Sequence, residues 1–177
     1  MALVSRMGEV RALLSIGVVV LLGAGSAGLA ASGGRGVSTA GVHLVIPTGW
    51  EARITKTPQC DPERLIAASS GRLDVSAGGR IASPRPGDVI VLLLEDRLVQ
   101  DRPVGDLRRP RHFTVDWRGL RTLAPDGFCG NPRGPAVMHY VKTHGRYLGF
   151  IVYPGRLAGA QAREKTLALM DSLRVTP

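Results

Sequence analysis

The stretch Asp88-Val-Ile-Val-Leu-Leu-Leu-Glu95 is the one around which the rest of the chain can be organised. Its six central residues, Val89 to Leu94, are all apolar, and Gly87-Asp88 and Glu95-Asp96 bound them. A short, β-branched-rich apolar run between turn and charged residues predicts a strand that is buried on both faces. Such a run is too short to cross a membrane. We therefore expect the other ordered elements to form layers around this strand.

The clearest local signal elsewhere is a β-hairpin. Ala136 to Thr143 and Arg146 to Tyr153 both have strand-like compositions, and His144-Gly145 lies between them. Two residues are the commonest length of a hairpin turn, and Gly readily adopts the positive φ that such a turn requires. The sequence therefore predicts two adjacent antiparallel strands here.

The residues after the hairpin predict a helix. From about Ala158 to Ser172, apolar side chains recur at helical spacing, and we expect the stripe to contain Leu167, Met170 and Leu173, with Ala160 or Ala162 a turn or two earlier. Such a stripe is typical of a helix that docks on a sheet. Arg174 to Pro177 predicts a last short strand.

Shorter segments complete the predicted architecture. We expect strands at Val42–Ile46, Trp50–Thr55 and Leu65–Ser69, a single helical turn beginning at Asp61-Pro62, and an edge strand at Phe113–Trp117. The stretch from Gly71 to Gly87 is rich in Gly and Pro and predicts a long irregular connection.

Together these elements predict an α+β fold, in which a mostly antiparallel sheet packs against a C-terminal helix. We expect a single domain at residues 41–177, after a signal segment at 1–31 and a flexible leader at 32–40. A domain of this length can bury roughly two thirds of the surface that its unfolded chain exposes, so it can hold a true core.

The start of the chain has the pattern of a secretory signal peptide. Arg6 and Arg11 precede an uncharged stretch, residues 12–34, whose apolar centre gives way to small residues. Cleavage after Ala30 or Ala31 fits the small-residue rule. The alternative is an uncleaved membrane anchor, because the uncharged run is long enough to span a bilayer. No Cys follows the apolar centre closely, which excludes a bacterial lipoprotein.

The two cysteines of the chain, Cys60 and Cys129, fit an exported protein. Disulfides persist outside the reducing cytoplasm, so we expect these two residues to be bonded to each other. A two-cysteine metal site and a reactive thiol pair are the alternatives. Neither is favoured, because no His lies near either Cys in the sequence and there is no Cys-x-x-Cys.

The chain is strongly basic, with a formal net charge of +9, and 20 of its 23 basic residues are Arg. Arg108, Arg109 and Arg111 predict a loop that could bind phosphate or carboxylate groups, since Arg binds both in a bidentate manner. The alternative is a solvated loop whose charge nearby Asp residues neutralise. Few aromatic residues accompany the arginines, so we expect no nucleic-acid partner.

Catalytic signatures are absent from the sequence. There is no G-x-S-x-G for a serine nucleophile, no H-E-x-x-H for zinc and no Gly-rich phosphate-binding motif between residues 71 and 87. The histidines are His43, His112, His139 and His144. We therefore predict no catalytic residue, no metal ligand and no cofactor.

Two stretches carry a resemblance to known proteins. Val42-His-Leu-Val-Ile-Pro-Thr-Gly-Trp50 resembles the opening of small exported proteins from high-GC Gram-positive bacteria, and Leu167-Ala-Leu-Met-Asp-Ser-Leu-Arg-Val175 resembles their closing helix. The same start and finish are similar to the α/β/α sandwich of the photosystem II extrinsic P-subunit superfamily. This resemblance implies an antiparallel sheet with a C-terminal helix, and it implies a role in binding or assisting other proteins rather than an activity. The Arg-rich middle of the chain departs from that pattern.

Three functional hypotheses follow. The first is an exported, non-enzymatic binding or assembly protein of the cell envelope or the extracellular space. We expect it to be a monomer that touches the membrane only through its N-terminal segment, and its partner to be an envelope protein or an anionic polymer. The second is a small extracellular hydrolase that uses His139 or His144 with a nearby carboxylate. The third is an extracytoplasmic regulatory domain held by an uncleaved N-terminal helix.

Overall fold

The computed structural model of the protein describes residues 33–57, 60–97, 107–122 and 128–176. Antiparallel strands predominate among them, and one helix follows near the C-terminal end, so the predicted α+β fold class is confirmed. The helix α1 is Ala160–Asp171, and the strands in chain order are β1 (Arg35–Thr39), β2 (Val42–Ile46), β3 (Glu51–Ile54), β4 (Glu63–Ser69), β5 (Val89–Asp96), β6 (Arg121–Thr122), β7 (Pro135–Thr143), β8 (Arg146–Pro154) and β9 (Arg174–Val175).

Strand β5 lies in the middle of a six-stranded antiparallel sheet of order β3-β4-β5-β8-β7-β6. No residue from Val89 to Leu94 is more than 2% exposed. Because successive side chains of a strand point to opposite faces, both faces of the sheet must be covered at this strand. The prediction of a strand that is buried on both sides is therefore confirmed.

The first face of this sheet carries Val89, Val91 and Leu93 and packs against two layers of regular structure. One is a three-stranded sheet of order β1-β2-β9, and the other is the helix α1. The apolar side chains of β2, of α1 and of this face form one continuous core cluster. The predicted docking of the helix on the sheet is confirmed.

The stripe by which α1 packs differs in part from the predicted one. Leu167 is only partly buried, whereas Leu169 and Thr166 are completely buried. The hydroxyl of Thr166 donates a hydrogen bond to the C=O of Ala162, 2.8 Å away and one turn earlier. A polar residue can be buried here because its own helix satisfies it, which is why a search for apolar periodicity overlooks it.

The second face of the six-stranded sheet carries Ile90, Leu92 and Leu94 and is covered by irregular chain. Leu73 and Ile81, from the connection between β4 and β5, pack against these side chains and are themselves buried. This connection therefore forms part of the core, although it contains no regular strand or helix.

The predicted hairpin is confirmed as β7 and β8. Its turn residues His144 and Gly145 have φ angles of 48° and 75°, as a two-residue type I′ turn requires.

The prediction of a flexible leader at residues 32–40 is wrong from Arg35 onwards. Strand β1 pairs with the whole of β2, and the turn between them uses positive φ angles at Ala40 and Gly41, 48° and 71°. Most side chains of β1 are exposed, so the strand lacks the apolar alternation by which a sequence reveals it. The predicted signal segment lies outside the described residues. Among the residues that the structure describes, no helix is long and apolar enough to cross a membrane.

Two further predicted elements are wrong, and at each of them an Asp carboxylate accepts a main-chain N–H instead. Asp61 does not cap a helical turn, since its Oδ1 accepts the N–H of Arg97 at 3.1 Å and β4 begins directly at Glu63. Phe113 does not begin an edge strand, since its N–H donates to Oδ1 of Asp171 at 2.7 Å.

A bidentate ion pair joins β5 to β8 within the six-stranded sheet, and the same Arg also bonds to the β1–β2 hairpin. Nε and Nη2 of Arg146 donate to the two carboxylate oxygens of Glu95 at 2.6 and 2.8 Å, and Nη1 donates to the C=O of Ala40 at 2.6 Å. The two charged side chains are 22% and 17% exposed. Hydrogen bonds from Arg146 hold the pKa of Glu95 below its ordinary value, although burial opposes this.

We expect Glu95→Gln to lower the free energy of unfolding by about 1–2 kcal/mol at neutral pH, because a charge-assisted bidentate contact is weakened. The lowered folded-state pKa means that this stabilisation is present above the unfolded-state pKa and is lost as the pH falls through the folded-state pKa. Urea unfolding of both proteins at pH 7 and at pH 3 measures this. The difference in the free energy of unfolding between the two proteins should shrink at pH 3. A difference that is the same at both pH values would contradict a stabilising role for the ionised Glu95 carboxylate.

Candidate anion-binding groove

A disulfide joins Cys60 to Cys129, as the sequence predicts, with the two Cα atoms 5.9 Å apart. Cys60 lies just before β4, and Cys129 lies in a short turn, Phe128–Gly130. The bond therefore holds Gly130 close to the connection between β4 and β5, where the C=O of Gly130 accepts the N–H of Ile81 at 2.7 Å. In this way the disulfide supports the chain that covers the second face of the sheet.

Residues 72–82 of that connection form a compact loop, which we call the groove loop. Main-chain hydrogen bonds close it from Ala82 to Asp74 at 3.0 Å and from Ser76 to Arg80 at 2.9 Å. Gly79, with a φ of 74°, supplies the positive φ at which the chain reverses. The loop therefore has a defined shape although it is irregular.

The groove loop is anchored at both ends. Leu73 and Ile81 are buried in the core, and the N–H of Leu73 donates to Oε2 of Glu51 on β3 at 2.9 Å. With these two side chains pointing inwards, the neighbouring side chains of Arg72 and Arg80 are exposed.

Arg64 of β4 lies against the groove loop and is only 1% exposed. Its guanidinium donates to four neutral oxygens: Oγ1 of Thr55 at 2.9 Å, Oδ1 of Asn131 at 3.1 Å, the C=O of Gly130 at 3.4 Å and the C=O of Gly79. Among the described residues no carboxylate forms an ion pair with it. Burial lowers the pKa of Arg64, but a guanidinium stays protonated at neutral pH. A positive charge without a counterion is thus held next to the loop.

Tyr153, on the same face of the sheet, does not neutralise this charge. Burial raises the pKa of Tyr153 to about 12, and Arg64 opposes that rise. The phenol is therefore uncharged at neutral pH.

An open groove of about 420 Å³ lies along the groove loop and strand β3. Its charged lining consists of Arg53 from β3, Arg72 and Arg80 from the loop, and Asp74; the remaining lining residues are Leu73, Val75, Ser76 and Ala82. Three guanidinium groups thus share the groove with a single carboxylate.

That carboxylate is already neutralised. Oδ1 of Asp74 lies 2.6 Å from Nε of Arg72, and Oδ2 lies 3.9 Å from Nη2 of Arg85. Within the part of the chain that the structure describes, neither Arg53 nor Arg80 has a carboxylate within 4 Å of its guanidinium. Planar guanidinium forks bind carboxylate and phosphate groups in a bidentate manner. The groove is therefore a candidate site for an anionic ligand.

The arginines that the sequence singled out lie elsewhere. Nη2 of Arg109 donates to the C=O of Asp171 at 2.8 Å, at the C-terminal end of α1, where a cation also complements the helix dipole. Arg108 and Arg111 are exposed on the same segment. The main chain of Arg108 forms an isolated parallel β-bridge with that of Lys142 on β7. None of the three lines the groove. An anion-binding role for them stays a prediction.

Among the described residues, no carboxylate forms an ion pair with either of the two histidines considered for hydrolysis. His139 is half-buried against the ring of Phe113, burial lowers its pKa, and its Nε2 has no hydrogen-bond partner among the described residues. His144 is exposed in the hairpin turn. Among the described residues, a His–carboxylate contact is formed instead by His112, whose Nδ1 lies 3.1 Å from Oδ2 of Asp171. This contact is on the surface at the end of α1.

The described residues contain no group of three or more His, Cys, Asp or Glu side chains placed to hold a metal ion. Comparison of the chain with models of protein families, with curated proteins and with solved structures finds no match.

The sequence did not reveal Arg53, Arg72 and Arg80 as a group. They come from two segments that the fold brings together, and no phosphate-binding motif marks them. One signal was present in Val75-Ser-Ala-Gly-Gly-Arg-Ile81, where two Gly residues between apolar residues favour a chain reversal. Such a reversal brings the flanking arginines close together.

Proposed function

We propose that the protein is exported to the cell envelope or beyond, and that it acts there as a non-enzymatic binding protein for an anionic ligand. The ligand is held in the arginine groove formed by Arg53, Arg72 and Arg80. The observation that carries the proposal is that the one carboxylate of the groove lining, Asp74, is paired with Arg72, which leaves Arg53 and Arg80 without a described carboxylate partner, above the buried charge of Arg64.

Two features support export. The first residues of the chain have the pattern of a secretory signal peptide, and the disulfide Cys60–Cys129 is a bond that persists in oxidising compartments. The resemblance to small exported proteins of high-GC Gram-positive bacteria belongs to this proposal, and the similarity to the photosystem II extrinsic P-subunit superfamily implies a role in binding. N-terminal sequencing of the protein from cells tests export, with a start near Ala31 expected for a cleaved signal segment.

We expect the double variant Arg53→Gln/Arg80→Gln to bind anionic polymers about tenfold more weakly than the natural protein. Two exposed guanidinium contacts contribute up to about 1 kcal/mol each, and about 1.4 kcal/mol corresponds to a factor of ten. Isothermal titration calorimetry with inorganic polyphosphate and with poly-L-glutamate measures the change. Binding should also weaken with added salt, because the contacts are electrostatic.

Arg174→Gln is the matched control. Arg174 is exposed on β9, in the three-stranded sheet that covers the opposite face of the six-stranded sheet, and its removal changes the net charge by one without touching the groove. If Arg174→Gln weakened binding as much per charge as the groove variants, the protein would be attracting polyanions through its net charge alone, and the proposed groove would be wrong.

A further inference from the structure

Among the described residues, no strand is hydrogen-bonded to the edge of the six-stranded sheet beside the groove, although β1 packs near it. Strand β3 is the last strand of the sheet, and it pairs only with β4. The N–H of Thr55 donates to the C=O of Leu65 at 3.1 Å. In an antiparallel pair, residues that bond to the partner alternate with residues that do not. The main-chain groups of Ala52 and Ile54 therefore point away from β4, and no described residue pairs with them.

The two sides of this edge differ in chemistry. Arg53 lies on the side of the groove loop, whereas Ala52 packs on the side of the first core cluster. Ile54 shares the side of Ala52 by the two-residue period, and it is 49% exposed, which is unusual for a large apolar residue in this fold. A chain laid along β3 would thus meet guanidinium groups on one side and an apolar side chain on the other.

We propose that the ligand of the arginine groove is an extended acidic segment of a partner protein, which adds to β3 as a further strand. This inference rests on the proposed function, because it identifies the anionic ligand of the same groove. The open main-chain groups of Ala52 and Ile54 supply hydrogen bonds to the added strand, and the groove supplies charge complementarity. A polymer without amide groups can use only the second of these.

The alternation of side chains defines the sequence pattern of the segment. Residues on the groove side lie beside Arg53, Arg72 and Arg80 and are acidic, and the residues between them lie beside Ile54 and are aliphatic. Glu51 is on the groove side too, but its Oε2 accepts the N–H of Leu73, which keeps this carboxylate on the loop. The expected ligand is therefore a segment with alternating acidic and aliphatic residues.

The probe is an acetylated and amidated peptide of alternating Glu and Val, six to eight residues long, and its binding is measured by calorimetry or by fluorescence anisotropy. Two further peptides carry N-methyl groups, one on every Glu amide and the other on every Val amide. A strand added at one edge uses the amides of every second residue only. We expect one methylated peptide to lose at least tenfold in affinity and the other to bind as the parent does.

Proline at position 54 tests the edge from the side of the protein. The N–H of Ile54 points away from β4, so Ile54→Pro removes no bond of the natural sheet, but its ring blocks an incoming strand. Ile54→Ala removes the apolar side chain without blocking the edge and is the matched control. We expect Ile54→Pro to lose at least tenfold more affinity for the peptide than Ile54→Ala, while both keep the affinity of the natural protein for polyphosphate. Thermal unfolding of both variants checks that the fold is intact.

The possible outcomes separate the two proposals. If both methylated peptides bind equally well, or if Ile54→Pro binds the peptide as Ile54→Ala does, strand addition is wrong while the groove stands. A peptide that binds no better than polyphosphate of equal charge, with no effect of Ile54→Pro, favours a non-peptide anion as the ligand and also overturns this inference. If Arg53→Gln/Arg80→Gln binds both probes as tightly as the natural protein does, the proposed function itself fails.

Discussion

Arg64→Met is expected to lower the free energy of unfolding by about 3–5 kcal/mol. The substitution keeps most of the side-chain volume but removes four hydrogen bonds from a buried guanidinium, which contribute about 1.5–3 kcal/mol each when one partner is charged. Removing the buried charge also removes its desolvation cost of several kcal/mol, which offsets part of the loss. The C=O of Gly79 is left without its donor, whereas that of Gly130 keeps the N–H of Ile81, and the net effect is destabilising. Urea unfolding at neutral pH measures it.

Arg53→Met is the matched control for this substitution. Arg53 is exposed on the neighbouring strand, so its replacement should change the stability by no more than about 0.5 kcal/mol. Arg64→Lys should lower the free energy of unfolding by an amount between those of these two variants. An ammonium group keeps the charge but cannot reach oxygens on three separate segments. A loss below about 1 kcal/mol for Arg64→Met would show that the guanidinium does not hold these segments together.

Loss of the disulfide is expected to lower the free energy of unfolding about as much as Arg64→Met does. The bond joins residues 69 positions apart, and a closed loop of this length corresponds to about 4 kcal/mol in the chain-entropy account. We therefore expect Cys60→Ser/Cys129→Ser to lower the thermal midpoint by roughly 10–15 °C. The variant should also bind polyphosphate more weakly, because Gly130 supports Ile81 and Arg64 beside the groove loop. Differential scanning calorimetry and titration calorimetry measure the two effects.

A reducing agent provides the control for the disulfide. It should lower the thermal midpoint of the natural protein and leave that of the double-serine variant unchanged. An unchanged midpoint for the natural protein, under conditions in which thiol titration shows complete reduction, would mean that the bond contributes little to stability.

The elements that the sequence predicted are those whose signal is local. Three features can be recognised from a few neighbouring residues or from composition: the apolar run of β5, the turn at His144-Gly145 and the pair of cysteines. The structure confirms all three. The helix was also predicted, because its spacing of apolar residues is local.

What the sequence missed depends on partners that lie far away along the chain. Strand β1 is mostly exposed and is defined only by its pairing with β2. Phe113 is held in place by Asp171, some sixty residues later. Arg53 joins the groove only because the fold places β3 beside the groove loop. Side chains that meet through tertiary structure leave no periodic pattern, and the buried Arg64 looks in the sequence like one more surface arginine.

The position of the three-stranded sheet determines where a tag or linker can be placed without covering the arginine groove. Strands β1 and β9 both flank β2, and the N–H of Thr176 donates to the C=O of Gly41, so the first and last described residues belong to the same layer. The arginine groove lies over the opposite face of the six-stranded sheet. A tag or fusion partner at the C-terminal end therefore leaves the groove facing solution, and immobilising the protein through such a tag on a sensor chip should not obstruct ligand capture. A linker coupled to Lys142 or to an engineered thiol near Ser76 would present the molecule in other orientations, and the second of these would block the groove.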